Sequence, residues 1–219
     1  MIIITGASDG LGLQVAKLYK EAGKKVINIS RRKSEFTDSN ILCDLSNEEE
    51  IKGAVSEILK MDEKIEAIIN CAGVLSVQKL EKITGAEFDR LLSVNVKAAI
   101  LLISNLIKKI KQDEADIVNV ASSVGLKGYL DQAVYGASKW AMRGFSANLQ
   151  LELKGTKSRV ISFCPGGFKT KLFEKATGVD NTADGSEWMR AEDVALALKH
   201  TLDLPKNMEV SEIIINRKS

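Results

Sequence analysis

The two residues of this sequence best placed for acid–base chemistry are Tyr135 and Lys139, in the segment YGASK. Residues four apart share one face of a helix, so the phenol and the ammonium would lie one turn apart. A phenol has an ordinary pKa of about 10, but a cation within about 4–6 Å favours its ionised form. The spacing therefore predicts a tyrosine whose pKa is lowered enough for proton transfer. Because this spacing is common by chance, it indicates a site only where a binding turn and a polar partner lie in register with it.

A second candidate site lies in the first twelve residues, MIIITGASDGLG. The apolar start predicts a strand buried on both faces, and the periodic apolar residues that follow predict a helix. Gly6, Gly10 and Gly12 fall in the connection, where the absence of a Cβ permits a tight turn and close approach of a pyrophosphate. Backbone N–H groups and the positive end of the helix dipole would face that phosphate. The turn predicts nucleotide binding, with a purely structural turn as the alternative.

These residues need a scaffold, and the rest of the chain alternates buried apolar runs with helical periodicity. That alternation predicts a parallel sheet with right-handed crossovers. The predicted strands are 1–4, 25–29, 41–43, 65–70, 116–121, 159–164 and 212–215, and the predicted helices are 12–22, 48–61, 84–111, 130–153 and 191–201. We expect the 84–111 helix to be bent or broken once, and Ser46 to cap the 48–61 helix in a capping box with Glu49. The predicted fold class is α/β, a doubly wound Rossmann fold of three layers, with a mainly parallel seven-stranded sheet in a single domain over 1–219.

Polar or glycine-containing segments follow six of the predicted strands. Ligands bind beyond the carboxyl ends of the strands in such sheets, at the point where strand order reverses. The segments are residues 6–12, 30–32, 44, 70–73, 122–123 and 165–167. Residues 166–190 lack clear periodicity and predict a mobile substrate loop with short helical pieces. Its Phe168, Phe173, Trp188 and Met189 indicate an apolar or aromatic wall.

Composition excludes several classes of function. A net charge of +2 gives no argument for nucleic acid or a membrane surface. We expect no apolar run of the ~18 residues that a membrane helix needs, and no signal peptide, so the predicted location is cytoplasmic. Cys43, Cys71 and Cys164 are widely spaced, which predicts core residues of a reducing compartment and no metal site. The single histidine, His200, is predicted in the last turn of a helix, which weighs against a Ser-His-Asp hydrolase.

Further motifs occur in a fixed order along the chain. They are TGASDGLG at 5–12, NCAG at 70–73, Asn95 in SVNV, Ser122 thirteen residues before Tyr135, YGASK at 135–139 and PGGFKT at 165–170. This set resembles the classical short-chain dehydrogenase/reductase family from residue 1 to about 170, and the last 50 residues match only in outline. The resemblance implies an NAD(P)-dependent oxidoreductase acting on CH–OH and C=O groups.

The resemblance also implies a catalytic set. Tyr135 would be the general acid in carbonyl reduction and the base in the reverse reaction, and Lys139 would hold the nicotinamide ribose and lower the pKa of the phenol. Ser122 would donate a hydrogen bond to the substrate oxygen, with Ser123 as the alternative. Asn95 would bend its helix and anchor a proton-relay water, and the alternative is a polar residue that faces solvent.

A cofactor-binding set is implied along the same edge of the sheet. Asp44 would meet the adenine ring, Asn70 would steady the central strand, and Thr170 would contact the nicotinamide carboxamide, with turn and cap roles as the alternatives. The complete set is Thr5, Gly6, Ser8, Asp9, Gly10, Leu11, Gly12, Ser30, Arg31, Arg32, Asp44, Leu45, Asn70, Ala72, Gly73, Tyr135, Lys139, Pro165, Gly166, Phe168 and Thr170.

The residues after the second predicted strand favour NADP(H) over NAD(H). An enzyme that holds a free ribose 2′-hydroxyl usually has an acidic residue there. This chain has Ser30 followed by Arg31 and Arg32, and a guanidinium can hold a 2′-phosphate bidentately. Asp9 departs from this pattern, because many NADP-dependent members of the family carry a basic residue just before the second glycine.

The predicted function is hydride transfer between nicotinamide and a small-molecule carbonyl or secondary alcohol. Two alternatives remain: a dinucleotide-sensing or scaffold protein without turnover, and a family member of the epimerase or dehydratase type. The family implies a homodimer or homotetramer. The apolar face of the 130–153 helix would pack either on a partner subunit or within the chain, and its residues are Val134, Ala137, Ala141, Phe145 and Leu149.

Overall fold

A parallel sheet of seven strands, in the order β3-β2-β1-β4-β5-β6-β7, forms the centre of the computed structural model, which describes residues 1–181 and 188–218. The strands are β1 (Ile2–Thr5), β2 (Val26–Ser30), β3 (Ser39–Leu42), β4 (Ala67–Asn70), β5 (Asp116–Val120), β6 (Val160–Pro165) and β7 (Glu212–Ile215). The helices are α1 (Gly10–Glu21), α2 (Glu48–Lys60), α3 (Gly85–Leu92), α4 (Ala98–Asp113), α5 (Ala133–Glu152), α6 (Lys171–Thr177) and α7 (Ala191–Leu202). The predicted fold class is confirmed.

The helices cover both faces of the sheet and so make three layers. On one face, α2, α4 and the end of α5 pack on alternate strand residues, as Ile51, Leu102 and Leu149 do around Ile68. On the other face of the sheet, α1 and α7 pack on the intervening residues of the same strands. Because the central strands are covered on both sides, their sequences are almost continuously apolar, whereas the edge strands β3 and β7 are partly exposed.

The direction of strand addition reverses between β1 and β4. The chain passes outward from β1 to β2 and β3, and then returns to place β4 against the free side of β1. In this register Thr5 lies beside both Ile29 and Asn70. The carboxyl ends of the central strands therefore meet at one edge, where a crevice between crossovers can receive a ligand.

Local boundaries differ from the sequence predictions by up to three residues. The cap of α2 is Asn47 rather than Ser46, because the Asn47 side chain accepts hydrogen bonds from the backbone N–H groups of Glu49 and Glu50. The 130–153 helix begins only at Ala133. The 84–111 helix is broken once, as predicted, by a π-helical turn over Ser93–Lys97. Residues 182–187 of the predicted loop lie outside the described residues.

One helical stretch contradicts the expectation that no segment is long and apolar enough to cross a membrane. By length and composition alone, Gly85–Asp113 meets that description. Several of its apolar residues belong to the core of the fold, since Leu102, Leu106 and Ile110 are buried against the sheet. A buried core helix passes the same test of length and hydropathy, so the stretch gives only weak support for a membrane span.

Candidate active site

The glycine turn after β1 is closed by contacts that leave no room for side chains. Gly6 has a φ of +76°, and a Cβ there would lie 2.9 Å from the Ala72 Cα. Gly12 lies against the turn itself, since its Cβ would be 2.4 Å from the Gly6 carbonyl oxygen. Thr5 Oγ1 accepts a hydrogen bond of 3.1 Å from the Ala72 N–H. The turn and the segment after β4 are thus held together at the point where strand order reverses.

This packing predicts a large effect for Gly12→Ala. The clash is with backbone, so the whole turn must shift, and we expect nucleotide affinity to fall more than tenfold with a drop in Tm of about 5 °C or more. The matched control is Gly53→Ala in the middle of α2, where a Cβ meets nothing within 4 Å and should stabilise the helix by roughly 1 kcal/mol. Thermal melting and NADPH titration measure both variants, and wild-type behaviour of Gly12→Ala would contradict the prediction.

The end of β2 reaches the glycine turn through a buried asparagine that sequence reasoning missed. Asn28 is fully buried, and its Oδ1 accepts a hydrogen bond of 3.1 Å from the Ala7 N–H. Its Nδ2 donates to the Arg32 carbonyl. Ser30 approaches Ser8 at 3.3 Å between hydroxyl oxygens. Burying an asparagine side chain in an apolar strand costs free energy unless the side chain is hydrogen-bonded. The polar residue within the apolar run VINIS could therefore have indicated from the sequence that Asn28 has a partner.

Asp9 has an unpredicted role beside the glycine turn. One carboxylate oxygen caps α1 by accepting the Gly10 N–H at 2.8 Å, and the other pairs with Arg32 at 3.2 Å and Lys175 at 2.7 Å. Burial opposes ionisation, but the bonds from Lys175 and Arg32 prevail and lower the pKa of Asp9. Arg32 is therefore shared with a carboxylate, while exposed Arg31 forms no ion pair among the described residues.

Asp44 and Leu45, after β3, form a turn. The Asp44 carboxylate accepts hydrogen bonds from the Ser46 N–H and hydroxyl at 2.9 and 2.7 Å. These bonds, with a smaller contribution from the charge of Arg31, lower the pKa of Asp44. Leu45 is buried in the core. The turn role, which the sequence left as the alternative for Asp44, is present in the structure.

Asn95 is buried in the π-helical turn and holds the segment after β4. Its Oδ1 accepts from the Val74 N–H at 2.7 Å, and its Nδ2 donates to the Val74 carbonyl at 2.9 Å and to Ser138 Oγ at 3.1 Å. A Cβ on Gly73 would lie 3.4 Å from Asn95 Oδ1 and 3.7 Å from Lys139 Nζ. The predicted bend at Asn95 is confirmed, and the alternative of a residue facing solvent is wrong.

A second polar chain, which the sequence indicated only in part, steadies the central strands. Asn70 Nδ2 donates to Asn119 Oδ1 at 2.8 Å, and Asn119 Nδ2 donates to Ser146 Oγ at 3.0 Å. This chain ties β4 to β5 and to α5. Beside it lies a cavity of about 10 Å³ whose lining includes Thr5, Asn70 and Asn95.

Tyr135, Lys139 and Ser122 come together beside these strands. Tyr135 and Lys139 lie in the first two turns of α5, and both are buried. Lys139 Nζ donates to the Val120 carbonyl at 2.9 Å and lies 5.7 Å from the centroid of the Tyr135 ring. Ser122 Oγ accepts from the Val124 N–H at 3.2 Å and donates to the Pro165 carbonyl at 3.5 Å, and its side chain is near enough to the phenol to lower the pKa of Tyr135. Ser123 makes no such contact with the phenol among the described residues.

The pKa of the phenol differs from the sequence prediction. Burial raises the pKa of Tyr135 to about 12, although the interaction with Ser122 lowers it. Burial also lowers the pKa of Lys139 to about 8. The predicted lowering by the ammonium is wrong for this form of the protein, because Lys139 is itself desolvated and donates to Val120. The phenol keeps its proton at neutral pH, which is the state that a general acid requires.

The segment after β6 packs against both the last strand and the glycine turn. The Gly166 N–H donates to the Ile215 carbonyl at 2.7 Å, and Thr170 caps α6 by accepting from the Leu172 N–H at 3.4 Å. A Cβ on Gly10 would lie 3.4 Å from Thr170 Cγ2. Pro165 and Phe168 begin the same segment, whose predicted helical piece is α6.

Two aromatic residues of the predicted wall are in contact. The ring centroids of Phe173 and Trp188 are 5.0 Å apart in a tilted arrangement. Trp188 also packs over Gly167, where a Cβ would lie 3.0 Å from the indole. Phe168 and Met189 pair by backbone at the base of the loop. The ends of the loop are therefore joined close to α6.

The described residues contain no group of three or more histidine, cysteine, aspartate or glutamate side chains placed to hold a metal ion. Cys43, Cys71 and Cys164 are free thiols. The features that could hold a ligand are the glycine turn, the cations after β2 and the polar residues around Tyr135.

Comparison with known proteins agrees with this geometry. A family model described as short chain dehydrogenase matches residues 1–179, and the chain belongs to the short-chain dehydrogenase/reductase family. It is therefore a member of a family of oxidoreductases.

Three similar proteins illustrate the range of the family. The chain is 26% identical over 232 residues to sulfoacetaldehyde reductase 2 of Chromohalobacter salexigens, covering 97% of this chain and 92% of that protein. A 3-ketoacyl-(acyl-carrier-protein) reductase of Brucella melitensis, solved with NADH, has a TM-score of 0.87 at 26% identity, covering 98% and 95%. The closed form of a serine dehydrogenase with NADP+ has a TM-score of 0.89 at 24% identity, covering 98% and 94%, and at that identity shows the shared fold alone.

Proposed function

We propose that the protein is an NADP(H)-dependent oxidoreductase that transfers hydride between nicotinamide and a carbonyl or secondary alcohol. The observation that carries this proposal is the meeting of Tyr135, Ser122 and Lys139 beside the crevice at the ends of β1 and β4. We further propose that residues 1–219 act as one dinucleotide-binding and catalytic domain, with 166–190 as the substrate loop.

The residues along the crevice fit a dinucleotide. The first turn of α1 contains no acidic residue, and the charge of its N-cap, Asp9, is met by Arg32 and Lys175, so a pyrophosphate above the glycine turn would face the positive end of the helix dipole. Gly10 and Thr170 lie close together and would flank it. The ribose and nicotinamide would be held by Asn70–Gly73, Lys139 and the segment from Pro165 to Thr170. The cofactor supplies hydride when it is bound.

The side chains of this chain would manage the proton and the substrate oxygen. Tyr135, protonated at neutral pH, would give its proton to the carbonyl oxygen, and in the reverse direction its phenolate would accept the proton of the alcohol. Ser122 would orient that oxygen by a hydrogen bond that strengthens as negative charge develops. Lys139 would hold the ribose through its ammonium, and Asn95 fixes the backbone of Val74 beside it.

NADP(H) is the proposed cofactor because two cations and no acidic residue directly follow Ser30. Of these cations, Arg31 is the freer to meet a 2′-phosphate, since Arg32 pairs with Asp9. A fork of guanidinium N–H groups suits that dianion.

Arg31→Ala should therefore remove most of the preference for NADPH. We expect the Kd for NADPH to rise about tenfold while the Kd for NADH changes less than twofold, because only NADPH carries the 2′-phosphate. Arg32→Ala is the matched comparison and should have the smaller effect. Fluorescence titration with both cofactors measures these constants. Wild-type protein that binds NADH as tightly as NADPH would refute the proposed preference.

The reaction is tested by a panel of small and medium ketones, aldehydes, diketones and 3-ketoacyl thioesters, with sulfoacetaldehyde included. Oxidation of NADPH is followed by absorbance. Turnover of at least one compound that depends on Tyr135 supports the proposal. Tight NADPH binding with no turnover across the panel would instead favour a dinucleotide-sensing protein.

We also propose a cytoplasmic homodimer or homotetramer. The apolar face predicted on α5 does not supply its interface in full, because Val134 and Leu149 are buried within the chain. Ala137 is exposed, as is half of Trp140. Light scattering coupled to size-exclusion chromatography measures the oligomeric state.

A further inference from the structure

The guanidinium of Arg143 joins three elements behind the candidate catalytic set. Arg143 lies on α5 one turn beyond Lys139. Its Nε and Nη2 donate to the two carboxylate oxygens of Glu212 at 2.6 and 2.8 Å, at the start of β7. Its Nη1 donates to the Gly125 carbonyl at 2.8 Å. The guanidinium also lies 5.6 Å from the centroid of the Trp140 ring. A bidentate pair of this kind fixes direction as well as distance.

Gly125 belongs to the short turn that carries Ser122. The Gly125 N–H donates to the Ser122 carbonyl at 2.9 Å, and Ser122 Oγ accepts from the Val124 N–H. Gly125 also rests directly on α5, since a Cβ there would lie 2.8 Å from the Lys139 carbonyl oxygen. The far end of the Ser122 turn is therefore attached to the helix that presents Tyr135 and Lys139.

Loss of this attachment would free the turn that carries the Ser122 hydroxyl to shift relative to the phenol. Within the described residues, the side-chain hydrogen bond given to the Gly125 carbonyl comes from Arg143, and Glu212 sets where the guanidinium points. A charged donor makes a stronger bond than a neutral one. A shift of about 1 Å in a catalytic group can cost about 10²-fold in rate.

We propose that Arg143, oriented by Glu212, is a positioning residue that places Ser122 against Tyr135. The proposal rests on the proposed function, since it assigns Arg143 to the same site. Under this proposal β7, at the edge of the sheet, influences the site through a series of hydrogen bonds that connects Glu212 to Arg143, Gly125 and Ser122. Arg143 acts through Ser122, and its contacts are with protein groups.

The test is a double-mutant cycle on kcat with the best carbonyl substrate of the panel. Arg143→Met should lower kcat about tenfold and leave the Kd for NADPH within twofold of wild type. In a Ser122→Ala background, the same change should lower kcat less than twofold, because the residue that Arg143 positions is already lost. Glu212→Gln keeps a hydrogen-bond acceptor but loses the charge, and Arg143→Lys keeps the charge but loses the two parallel N–H donors. The kcat of both variants should therefore lie between the values of wild type and Arg143→Met.

Lys157→Met, which breaks the exposed pair of Lys157 with Glu114, is the control and should leave kcat unchanged. Additive losses in the cycle would overturn the inference, as would a fall in Tm without a fall in kcat. If Arg143→Met fails to fold, the cycle is run with Glu212→Gln, and additivity there has the same meaning. Wild-type kcat in both Ser122→Ala and Tyr135→Phe would overturn the proposed function itself. Loss in those two variants with additive behaviour of Arg143 would overturn only this inference.

Discussion

Replacement of Tyr135 by phenylalanine is expected to lower kcat for carbonyl reduction by about 10²–10⁴-fold. The substitution removes only the hydroxyl, which interacts with Ser122, and leaves the buried ring in place. The loss should fall on kcat, with the Kd for NADPH within about twofold of wild type. Steady-state kinetics with the best panel substrate, together with NADPH titration, separates the two quantities.

Tyr19 provides the matched control. It is also a buried tyrosine, but it packs between α1 and α7, away from the crevice. Tyr19→Phe makes the same chemical change and should leave kcat within about twofold. A Tyr135→Phe enzyme that retains the wild-type rate would remove Tyr135 from the role of general acid, whatever Tyr19→Phe does.

Replacement of Lys139 by methionine is expected to abolish most activity and, at neutral pH, to stabilise the fold. Burial lowers the pKa of Lys139 from 10.5 to about 8, a shift that corresponds to about 3 kcal/mol of unfavourable burial of the charged form. Methionine fills the space of the stem without that charge. The Val120 carbonyl loses its donor, which costs about 1 kcal/mol, so the net gain is roughly 1–2 kcal/mol, or about 3–6 °C in Tm.

The gain should depend on pH in a defined direction. Below pH 8 the lysine is charged in both the folded and the unfolded chain, and the wild type bears the full cost of burial. Between pH 8 and 10.5 the folded chain has lost this proton and the unfolded chain still binds it, so the wild type becomes relatively more stable as pH rises. The difference in Tm between Lys139→Met and wild type should therefore be largest below pH 8 and shrink above it.

Differential scanning fluorimetry across pH 6–10 measures this difference, with Lys108→Met as the control because Lys108 is an exposed lysine on α4. The control should show no comparable gain at any pH. A Lys139→Met variant that is less stable than wild type at pH 7 would contradict the inference that burial of the Lys139 ammonium destabilises the fold.

The sequence was sufficient for the architecture because period and spacing report directly on it. Short apolar runs such as VINIS and AIIN, bounded by turn residues, are typical of strands covered on both faces, and glycines between a strand and a helix imply a tight turn. The family motifs placed Ser122, Tyr135 and Lys139 at one edge. The local errors at Ser46 and at the start of α5 concern ends of helices, where several residues can satisfy the same N–H groups.

The electrostatic state of the site could not be obtained in the same way. A spacing of four residues shows that Tyr135 and Lys139 share a face, but it does not show how deeply each is buried. Burial reverses the expected direction of the tyrosine shift. Likewise, nothing in the sequence around Asp9 indicates Lys175 as its partner, since the two are far apart along the chain and meet only when α6 packs beside the glycine turn.

The π-helical turn over Ser93–Lys97 has a consequence for how this chain can change in length. An α-helix rotates about 100° for each residue, and the bond from the Ala98 N–H to the Ser93 carbonyl spans one residue more than a regular turn. Deleting one residue there would restore regular bonding from α3 into α4, but the two helices would then be out of phase by that angle. Either the amide of Asn95 would leave Val74, or the hydrophobic stripe of α4 would swing off the sheet. The extra residue of the π-helical turn lets one continuous helical stretch present Asn95 to Val74 and the apolar side of α4 to the sheet. We therefore expect this turn to tolerate neither insertions nor deletions.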